Sequence, residues 1–471
     1  MKHLNLWIAP GLYALVVTFI ILFGFSWWAY DDPFITFRYA ENLRRGLGFV
    51  YNPGDRVLST TTPFYAILLA ALSTLWDDIP RLSNTLSAGS LALGSIALWV
   101  LARQWGQPTA GLIAMVLYPF FPLLIETLGS EMPFYIMSIL WAFALQSNRK
   151  STAAMLLAGV ATITRPDGIL PSVLLAVWLL RTRPKLRWLS LLAFGIPTIP
   201  WYLFAWIYFG SPLPVTLAAK QHQAEMAISQ SFLQGFIVVI TNYMSSPQYV
   251  IQTILFMIGL AIAIVRRQWL ILFAWASLHF VGYTILGVPR YFWYYTPIVP
   301  AFVILTGLGA SIVLNRCRKL IPHYTFILQP IVMCLLMWPQ ISGVARIYLN
   351  PDPRANIYRD VGLWLRETTA PSSTVGTLEV GIIGYYSRRP MVDFAGLVQP
   401  EVAKQMRRDT TYQDTALWAI VHYTPDYLVL NPDWFPEVMD RIVQQRCTEL
   451  RWFRDDWYPG TLIVYWCAWN Y

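Results

Sequence analysis

Long runs without a charged side chain constrain the fold of this chain more than any other feature. The first, Leu6–Trp28, has 23 residues, and about 20 apolar residues suffice to cross a bilayer as a helix. An ordinary soluble domain has about 25% charged residues, whereas this chain has 13%. The sequence therefore predicts a polytopic α-helical membrane protein. Ten further uncharged runs follow: Asn84–Ala102, Gln104–Ile125, Met132–Gln146, Ser151–Thr164, Gly168–Leu180, Trp188–Ala219, Met226–Val265, Gln268–Pro289, Tyr291–Asn315 and Leu320–Ala345.

Charge divides the chain into two parts. Residues up to Ala345 carry a net charge of +11, and residues from Arg346 onward carry −2, which together give the +9 of the whole chain. We therefore predict a membrane module at 1–345 and a soluble domain at 346–471. The basic balance reflects membrane topology, so it is no evidence for a nucleic-acid partner.

The part after residue 346 alternates helix and strand signals, which predicts a small α/β domain. Cys447 and Cys467 lie within it, and two interpretations stay open: a disulfide or two unpaired buried thiols. With four cysteines and no C-x-x-C spacing, neither a zinc site nor a disulfide scaffold is expected. The predicted helices are 355–366 and 415–422, and the predicted strands are 373–378, 427–430 and 461–466.

The distribution of basic residues predicts the orientation, because cytoplasmic loops carry an excess of Lys and Arg. If Lys2 is cytoplasmic and the stretch Pro63–Trp76 dips in without crossing, eleven crossings place the basic loops inside. The same assignment places all ten acidic residues of the membrane module outside. We therefore expect a multi-pass protein of the cell (inner) membrane, retaining its first helix, with a cytoplasmic N-terminus and an extracytoplasmic C-terminal domain.

The first outer loop, Ala29–Thr62, carries two adjacent carboxylates, Asp31 and Asp32, directly after the first span. Apolar residues at helical spacing after them predict an amphipathic helix lying on the membrane surface. Asp32 precedes Pro33, which is good chemistry for a helix start, so Asp32 is interpreted either as an N-cap or as part of a site.

Several segments resemble GT-C fold glycosyltransferases, most closely the cell-wall arabinofuranosyltransferase and protein-mannosyltransferase-like group. The strongest resemblance is the first loop, from Asp31-Asp32-Pro33-Phe34-Ile35-Thr36-Phe37-Arg38-Tyr39-Ala40 through 46–54 to Thr62-Pro63-Phe64. The resemblance implies a GT-C-like membrane module and a polyprenyl-phosphate-linked sugar as donor. Further similar segments are 130–135, 164–168, 214–220, 289–292, 379–386 and 393–397.

The implied reaction needs few groups. A lipid-linked sugar already has phosphate as leaving group, so the protein must activate an acceptor hydroxyl and stabilise the departing phosphate. We expect Asp31 to be the general base and Asp32 to support it. A divalent cation, Mg²⁺ or Mn²⁺, held by both carboxylates stays open.

Cations on the predicted outer face are candidates for holding the phosphate. Each also has a simpler interpretation. Arg165 could pair only with Asp167, Lys220 could be a solvated charge, and Arg290 could reach lipid headgroups from an aromatic belt. Glu131 could likewise serve only as a partner for a helix dipole. The expected substrate-binding residues are Arg38, Tyr39, Glu131, Arg165, Asp167, Lys220, His222, Arg290 and Tyr291.

The sequence thus predicts a membrane glycosyltransferase that moves a sugar from a polyprenyl-phosphate donor to an extracytoplasmic glycan, lipid or protein. The alternative is a lipid or sugar transporter, or flippase, without transferase activity. Transporters place ionisable groups near the midplane of their spans, whereas the long runs here hold only His279 and His323. A structural scaffold would need no carboxylate pair beside outer cations.

Overall fold

A computed structural model describes residues 5–182, 187–320, 325–456 and 458–469. Lys2, His323 and the centre of the basic loop 181–187 lie outside these ranges. The helices of the N-terminal part, α1 to α16, are Asn5–Phe25, Pro33–Arg44, Pro63–Leu72, Ile79–Gln104, Pro108–Leu117, Pro122–Ile125, Met132–Ser147, Ser151–Thr164, Ile169–Thr182, Arg187–Phe209, Thr216–Glu225, Phe232–Met244, Pro247–Val265, Leu270–Leu286, Val299–Leu320 and Thr325–Leu349.

The described part of the chain contains seven helical segments that are long and apolar enough to cross a membrane. The predicted polytopic helical architecture is confirmed, and the count of eleven crossings stays a prediction. Helix α3 has ten residues, or about 15 Å at 1.5 Å per residue, which is too short to cross. The run Met226–Val265 forms two helices, α12 and α13, where we expected one span.

Close helix packing holds the membrane part together. Helix α4 packs against α1, α5 and α7, and α13 crosses α15. At that crossing, a Cβ on Gly259 would clash with the carbonyl oxygen of Leu305, and one on Gly309 with that of Leu255. The two glycines let the backbones approach closely, as small residues do between membrane helices.

The C-terminal part is a small mixed α/β domain, as predicted. Its sheet has the strand order β2-β1-β3-β5-β4, with β1 parallel to β2 and β3, and with β5 antiparallel to β3 and β4. Sequence reasoning missed β2 and β4. The strands β1 to β5 are Val375–Thr377, Met391–Asp393, Tyr427–Leu430, Cys447–Phe453 and Leu462–Cys467, and the helices α17 to α22 are Arg354–Thr368, Gly381–Ser387, Pro400–Ala403, Tyr412–Tyr423, Pro436–Val438 and Gln444–Arg446.

Cys447 and Cys467 face each other across β4 and β5 and form a disulfide, so the first of the two open interpretations describes this structure. The predicted domain boundary, between Ala345 and Arg346, falls within helix α16. The division of the chain at that point therefore stays a prediction.

Helix α2 corrects the expectation of an amphipathic helix on the membrane surface. Its polar side chains Arg38, Glu41 and Asn42 are buried, because helix α18 of the C-terminal domain packs over them. The Glu41 carboxylate pairs with Arg44 and with Arg388 of that domain, at 2.8 and 2.9 Å. Helix α2 therefore connects the two parts of the chain through direct contacts.

Candidate active site

Asp32 and Lys220 meet in a cavity of about 500 Å³ between the first outer loop, the membrane helices and the C-terminal domain. The Lys220 Nζ lies 3.8 Å from the Asp32 Oδ1. This distance is longer than a hydrogen bond, so both groups keep donor or acceptor capacity for a ligand. The Asp32 side chain is 42% exposed and that of Lys220 is 10% exposed.

The Asp32 side chain does not act as the N-cap of helix α2. Asp32 precedes Pro33 at the start of helix α2, but its side chain makes no cap hydrogen bond to described residues. The helix starts from proline geometry, and the carboxylate lines the cavity instead.

Asp31, which we expected to be the general base, has a different position. Its two carboxylate oxygens accept the amide N–H groups of Gly381 and Ile382 at 2.9 and 2.7 Å. A Cβ on Gly381 would clash with the backbone carbonyl oxygen of Asp31, so this approach needs a glycine. Asp31 does not belong to the cavity lining. It joins the first loop to helix α18.

Electrostatics also distinguish Asp31 from its neighbour. Burial, together with the nearby carboxylate of Glu379, raises the pKa of Asp31 to about 8, although the two amide donors act in the opposite direction. Both Asp31 oxygens already accept amide N–H groups and the side chain lies outside the cavity lining, so Asp31 is poorly placed to take a proton from an acceptor bound there. We therefore move the general-base proposal from Asp31 to Asp32.

Lys220 is held against an aromatic ring. Its Nζ lies 3.8 Å from the centroid of the Tyr291 ring, which is cation–π geometry. The Tyr291 hydroxyl donates to Gln223 Oε1 at 3.3 Å, and Gln223 Nε2 donates to the carbonyl oxygen of Ala395 at 2.9 Å. Tyr291 thus supports the lysine from outside the cavity lining and connects it to the C-terminal domain.

Arg165 lies in a buried network at another wall of the cavity. Its guanidinium donates to Glu131 at 2.6 Å, to Asp167 at 3.0 Å and to the Tyr283 hydroxyl at 3.0 Å. The expected Arg165–Asp167 pairing is present, and Glu131 pairs with Arg165 rather than capping its own helix. Because two carboxylates already neutralise the positive charge of Arg165, this residue is a weaker candidate for binding a phosphate than Lys220.

His279 extends this network into the membrane helices. Its ring is fully buried, with Nε2 2.8 Å from the Tyr294 carbonyl oxygen and Nδ1 3.6 Å from Asp167 Oδ2.

Arg38 and Tyr39, expected to bind substrate, instead hold the protein together. Arg38 is 2% exposed and donates to the carbonyl oxygens of Tyr51 at 3.2 Å, Arg389 at 3.0 Å and Gly384. The Tyr39 hydroxyl accepts the backbone N–H of Ser59 at 2.9 Å. Neither side chain lines the cavity, because both are used by the loop and the C-terminal domain.

His222 and Arg290 also lie outside the cavity lining. Arg290 is exposed, and its guanidinium donates to Gln230 Oε1 at 2.8 Å. Of the three expected phosphate cations, the structure brings Lys220 and Arg165 to the cavity and leaves Arg290 away from it.

Sequence reasoning missed one wall of the cavity, the hydroxyl-rich segment Ser59–Thr62. Four consecutive hydroxyl residues directly before the proline that starts α3 were a usable signal. Only the last of them, Thr62, belongs to a segment that resembles GT-C glycosyltransferases.

An apolar groove of about 640 Å³ adjoins the cavity and shares Pro166, Ile169 and Leu213 with its lining. Helix α10 contributes large apolar side chains to it, including Ile199, Leu203 and Trp206, and their exposed surfaces face outward. The cavity therefore borders a surface suited to a hydrocarbon chain.

The divalent cation expected at Asp31 and Asp32 stays a prediction. The Asp31 oxygens are bound by two amide N–H groups, and the Asp32 carboxylate faces Lys220. Within residues 5–182, 187–320, 325–456 and 458–469, no group of three or more His, Cys, Asp or Glu side chains could hold a metal ion.

Comparison with known proteins places this site in a known fold. ArnT from Cupriavidus metallidurans, in a crystal structure bound to undecaprenyl phosphate, superposes with a TM-score of 0.64 and 16% identity over 98% of both chains. AglB, an oligosaccharyltransferase of Archaeoglobus fulgidus solved with an inhibitory peptide and a dolichol-phosphate, gives 0.59 and 11% identity over 97% of this chain and 75% of that one. The predicted GT-C fold is confirmed.

The matches found by sequence cover only part of the chain. The terminal beta-(1->2)-arabinofuranosyltransferase of Mycobacterium tuberculosis (strain ATCC 25618 / H37Rv) is 25% identical over 270 residues, which cover 51% of this chain and 41% of that protein. The match thus spans about two fifths of that relative's length. A family model described as a domain of unknown function (DUF8728) matches residues 347–465.

Proposed function

We propose that this protein is a membrane glycosyltransferase that moves a sugar from a polyprenyl-phosphate donor to an extracytoplasmic glycan, lipid or protein, with Asp32 as general base. The observation that carries the proposal is the Asp32–Lys220 pair in a cavity of about 500 Å³. A carboxylate beside a cation supplies the two functions that transfer from a sugar phosphate requires.

In the proposed reaction, Asp32 takes the proton of the acceptor hydroxyl as its oxygen forms a bond to the anomeric carbon. The bond from that carbon to the phosphate oxygen breaks, and its electron pair leaves with the polyprenyl phosphate. Lys220 stabilises the charge that develops on this phosphate. Before the donor binds, the Lys220 ammonium neutralises the negative charge of the Asp32 carboxylate. When Lys220 binds the donor phosphate instead, Asp32 becomes available as the base.

The apolar groove supports a lipid-linked donor. Its lining by Phe194, Ile199, Leu203 and Trp206 offers a hydrocarbon surface, and it borders the cavity that Lys220 lines. A water-soluble nucleotide sugar would not need such a groove.

We also propose that the site faces the extracytoplasmic side. The segregation of acidic residues from basic loops supports this orientation, and so does the disulfide between Cys447 and Cys467, since disulfides persist in oxidising compartments.

The test is product analysis by mass spectrometry. Purified full-length protein is incubated with arabinofuranosyl-, mannosyl- and glucosyl-phosphodecaprenol and with lipid, oligosaccharide and peptide acceptors. We expect one donor to yield a glycosylated acceptor and free decaprenyl phosphate. Movement of lipid between the leaflets of a proteoliposome, with no product from any donor, would favour the transporter alternative.

A further inference from the structure

Five hydroxyl side chains form one wall of the cavity, and the proposed proton and phosphate chemistry of Asp32 and Lys220 does not use them. We call this the hydroxyl wall, and it consists of Thr36, Ser59, Thr60, Thr61 and Thr62. It stands out because the rest of the lining is mainly apolar or charged.

Three of these hydroxyls form a closed triangle. The Thr62 Oγ1 lies 2.9 Å from the Thr36 Oγ1 and 3.0 Å from the Thr60 Oγ1, and the last two atoms lie 3.3 Å apart. Each hydroxyl has one donor and two acceptor lone pairs. In a closed ring each O–H donates to the next oxygen. The second lone pair of Thr60 Oγ1 accepts the backbone N–H of Thr62 at 3.2 Å, so the oxygens of Thr36 and Thr62 each keep a lone pair that can accept from a ligand.

Ser59 contributes a further hydroxyl group to the wall, and this group makes no hydrogen bond within the described residues. The residue is 2% exposed, and its Oγ has no hydrogen-bond partner among the described residues. A buried hydroxyl without a partner costs free energy. The Oγ atom itself is buried, but the residue belongs to the cavity lining, so rotation of the short side chain toward the cavity lets a bound ligand supply the missing hydrogen bond.

The wall is rigidly held. The Tyr39 hydroxyl accepts the backbone N–H of Ser59 at 2.9 Å, and the N–H of Val215 donates to the carbonyl oxygen of Leu58 at 2.9 Å. Thr36 lies four residues after Asp32 at the start of helix α2, and residues four apart share a helix face. The wall therefore has a fixed position beside the proposed base.

We infer that the hydroxyl wall binds the hydroxyl groups of the donor's sugar ring and selects which sugar is transferred. This inference rests on the proposed function. A phosphate held at Lys220 is joined to its sugar through one oxygen, so the sugar lies close to Lys220, and the cavity that Lys220 lines has room for it. The acceptor needs to bring only one hydroxyl to Asp32, whereas a sugar ring presents several hydroxyls that can match an array of them.

The test compares sugar-bearing and sugar-free lipids. Full-length protein, wild type and with Ser59→Ala or Thr36→Val, is titrated with decaprenyl phosphate and with arabinofuranosyl-, mannosyl- and glucosyl-phosphodecaprenol. Ser59→Ala removes a hydroxyl without a protein partner, so folding should be unaffected. Ser73→Ala is the matched control, because Ser73 is buried at the end of α3 and lies outside the lining.

We expect both variants to bind the preferred sugar donor about three- to tenfold more weakly, the effect of one lost hydrogen bond, and to bind decaprenyl phosphate as the wild type does. Equal losses for sugar-free and sugar-bearing lipids would overturn the inference, since the wall would then contact phosphate or only stabilise the loop. Unchanged affinities for all lipids would also overturn it. A wild type that binds none of the four lipids would instead contradict the proposed function itself.

Discussion

The Lys220 ammonium lies 3.8 Å from the Asp32 carboxylate, on the face of the Tyr291 ring. The lysine comes from helix α11 and the aspartate from the start of helix α2, 188 residues apart in the chain. The fold thus brings a cation and a carboxylate together at the edge of an apolar groove, where a lipid phosphate and an acceptor hydroxyl could meet.

Removing the Lys220 charge should weaken lipid-phosphate binding. We expect Lys220→Met to weaken the binding of decaprenyl phosphate by about 1.5 to 3 kcal/mol, the scale of a hydrogen bond to a charged group. This corresponds to about 10- to 150-fold in Kd. Arg290→Met is the matched control, because Arg290 lies on the same face but outside the cavity lining. If titration of the purified protein showed the larger loss in the Arg290 variant, the phosphate site would lie elsewhere.

The contact between helix α2 and the C-terminal domain should depend strongly on Arg38. Arg38→Met would remove the guanidinium donor to the buried carbonyl oxygen of Arg389 and one of the donors to that of Gly384, which also accepts the N–H of Arg388. We expect the free energy of unfolding to fall by about 3 kcal/mol. Arg45→Met, at an exposed position directly after the same helix, should change it by less than about 0.5 kcal/mol. Thermal unfolding in detergent measures both, and equal effects would contradict the role given to Arg38.

Asp31 should make stability depend on pH. Its pKa rises from an ordinary 3.8 to about 8 in the folded protein, so the folded state keeps a proton that the unfolded state has lost. The free energy of unfolding should therefore decrease as pH rises from about 4 to about 8. Asp31→Asn removes this contribution, so the stability of the wild type relative to the variant should decrease over that range. A difference between their unfolding temperatures that stays constant from pH 6 to 8.5 would contradict the raised pKa.

The orientation can be tested by cysteine labelling of whole cells. After Cys317 and Cys334 are replaced by serine, a membrane-impermeant maleimide should label Asp360→Cys in the C-terminal domain. It should not label Lys150→Cys in a basic loop until the membrane is permeabilised. Both positions are exposed on the protein. The reverse pattern would place the cavity on the cytoplasmic side.

The fold was largely predictable because its signals are local. Long apolar runs and the shift in charge near residue 346 are visible in the sequence, and the first-loop motif indicated the GT-C fold. Strand β3 was predicted at its observed bounds, Tyr427–Leu430. Strand β4 was missed because its exposed residues lack the alternation of a half-buried strand.

The site was less predictable because its assignments depend on contacts distant in sequence. The Asp31 carboxylate is bound by amide groups 350 and 351 residues later in the chain, and Arg38 by carbonyl groups equally far away. No local pattern distinguishes two adjacent aspartates when one faces a cavity and the other a helix terminus. The same reason explains the wrong prediction for helix α2. Its pattern is amphipathic, but the C-terminal domain, which is distant in sequence, covers the polar face.

The most direct test compares Asp32→Asn with Asp31→Asn in the rate of sugar transfer under saturating donor and acceptor. Asn cannot take a proton, so Asp32→Asn should lower the rate by about 10² to 10⁴ while the protein stays folded and binds decaprenyl phosphate. Asp31→Asn should keep the rate within about tenfold of the wild type and lower the stability instead. Near-normal transfer by Asp32→Asn, with loss of transfer in Asp31→Asn, would contradict the assignment of the base.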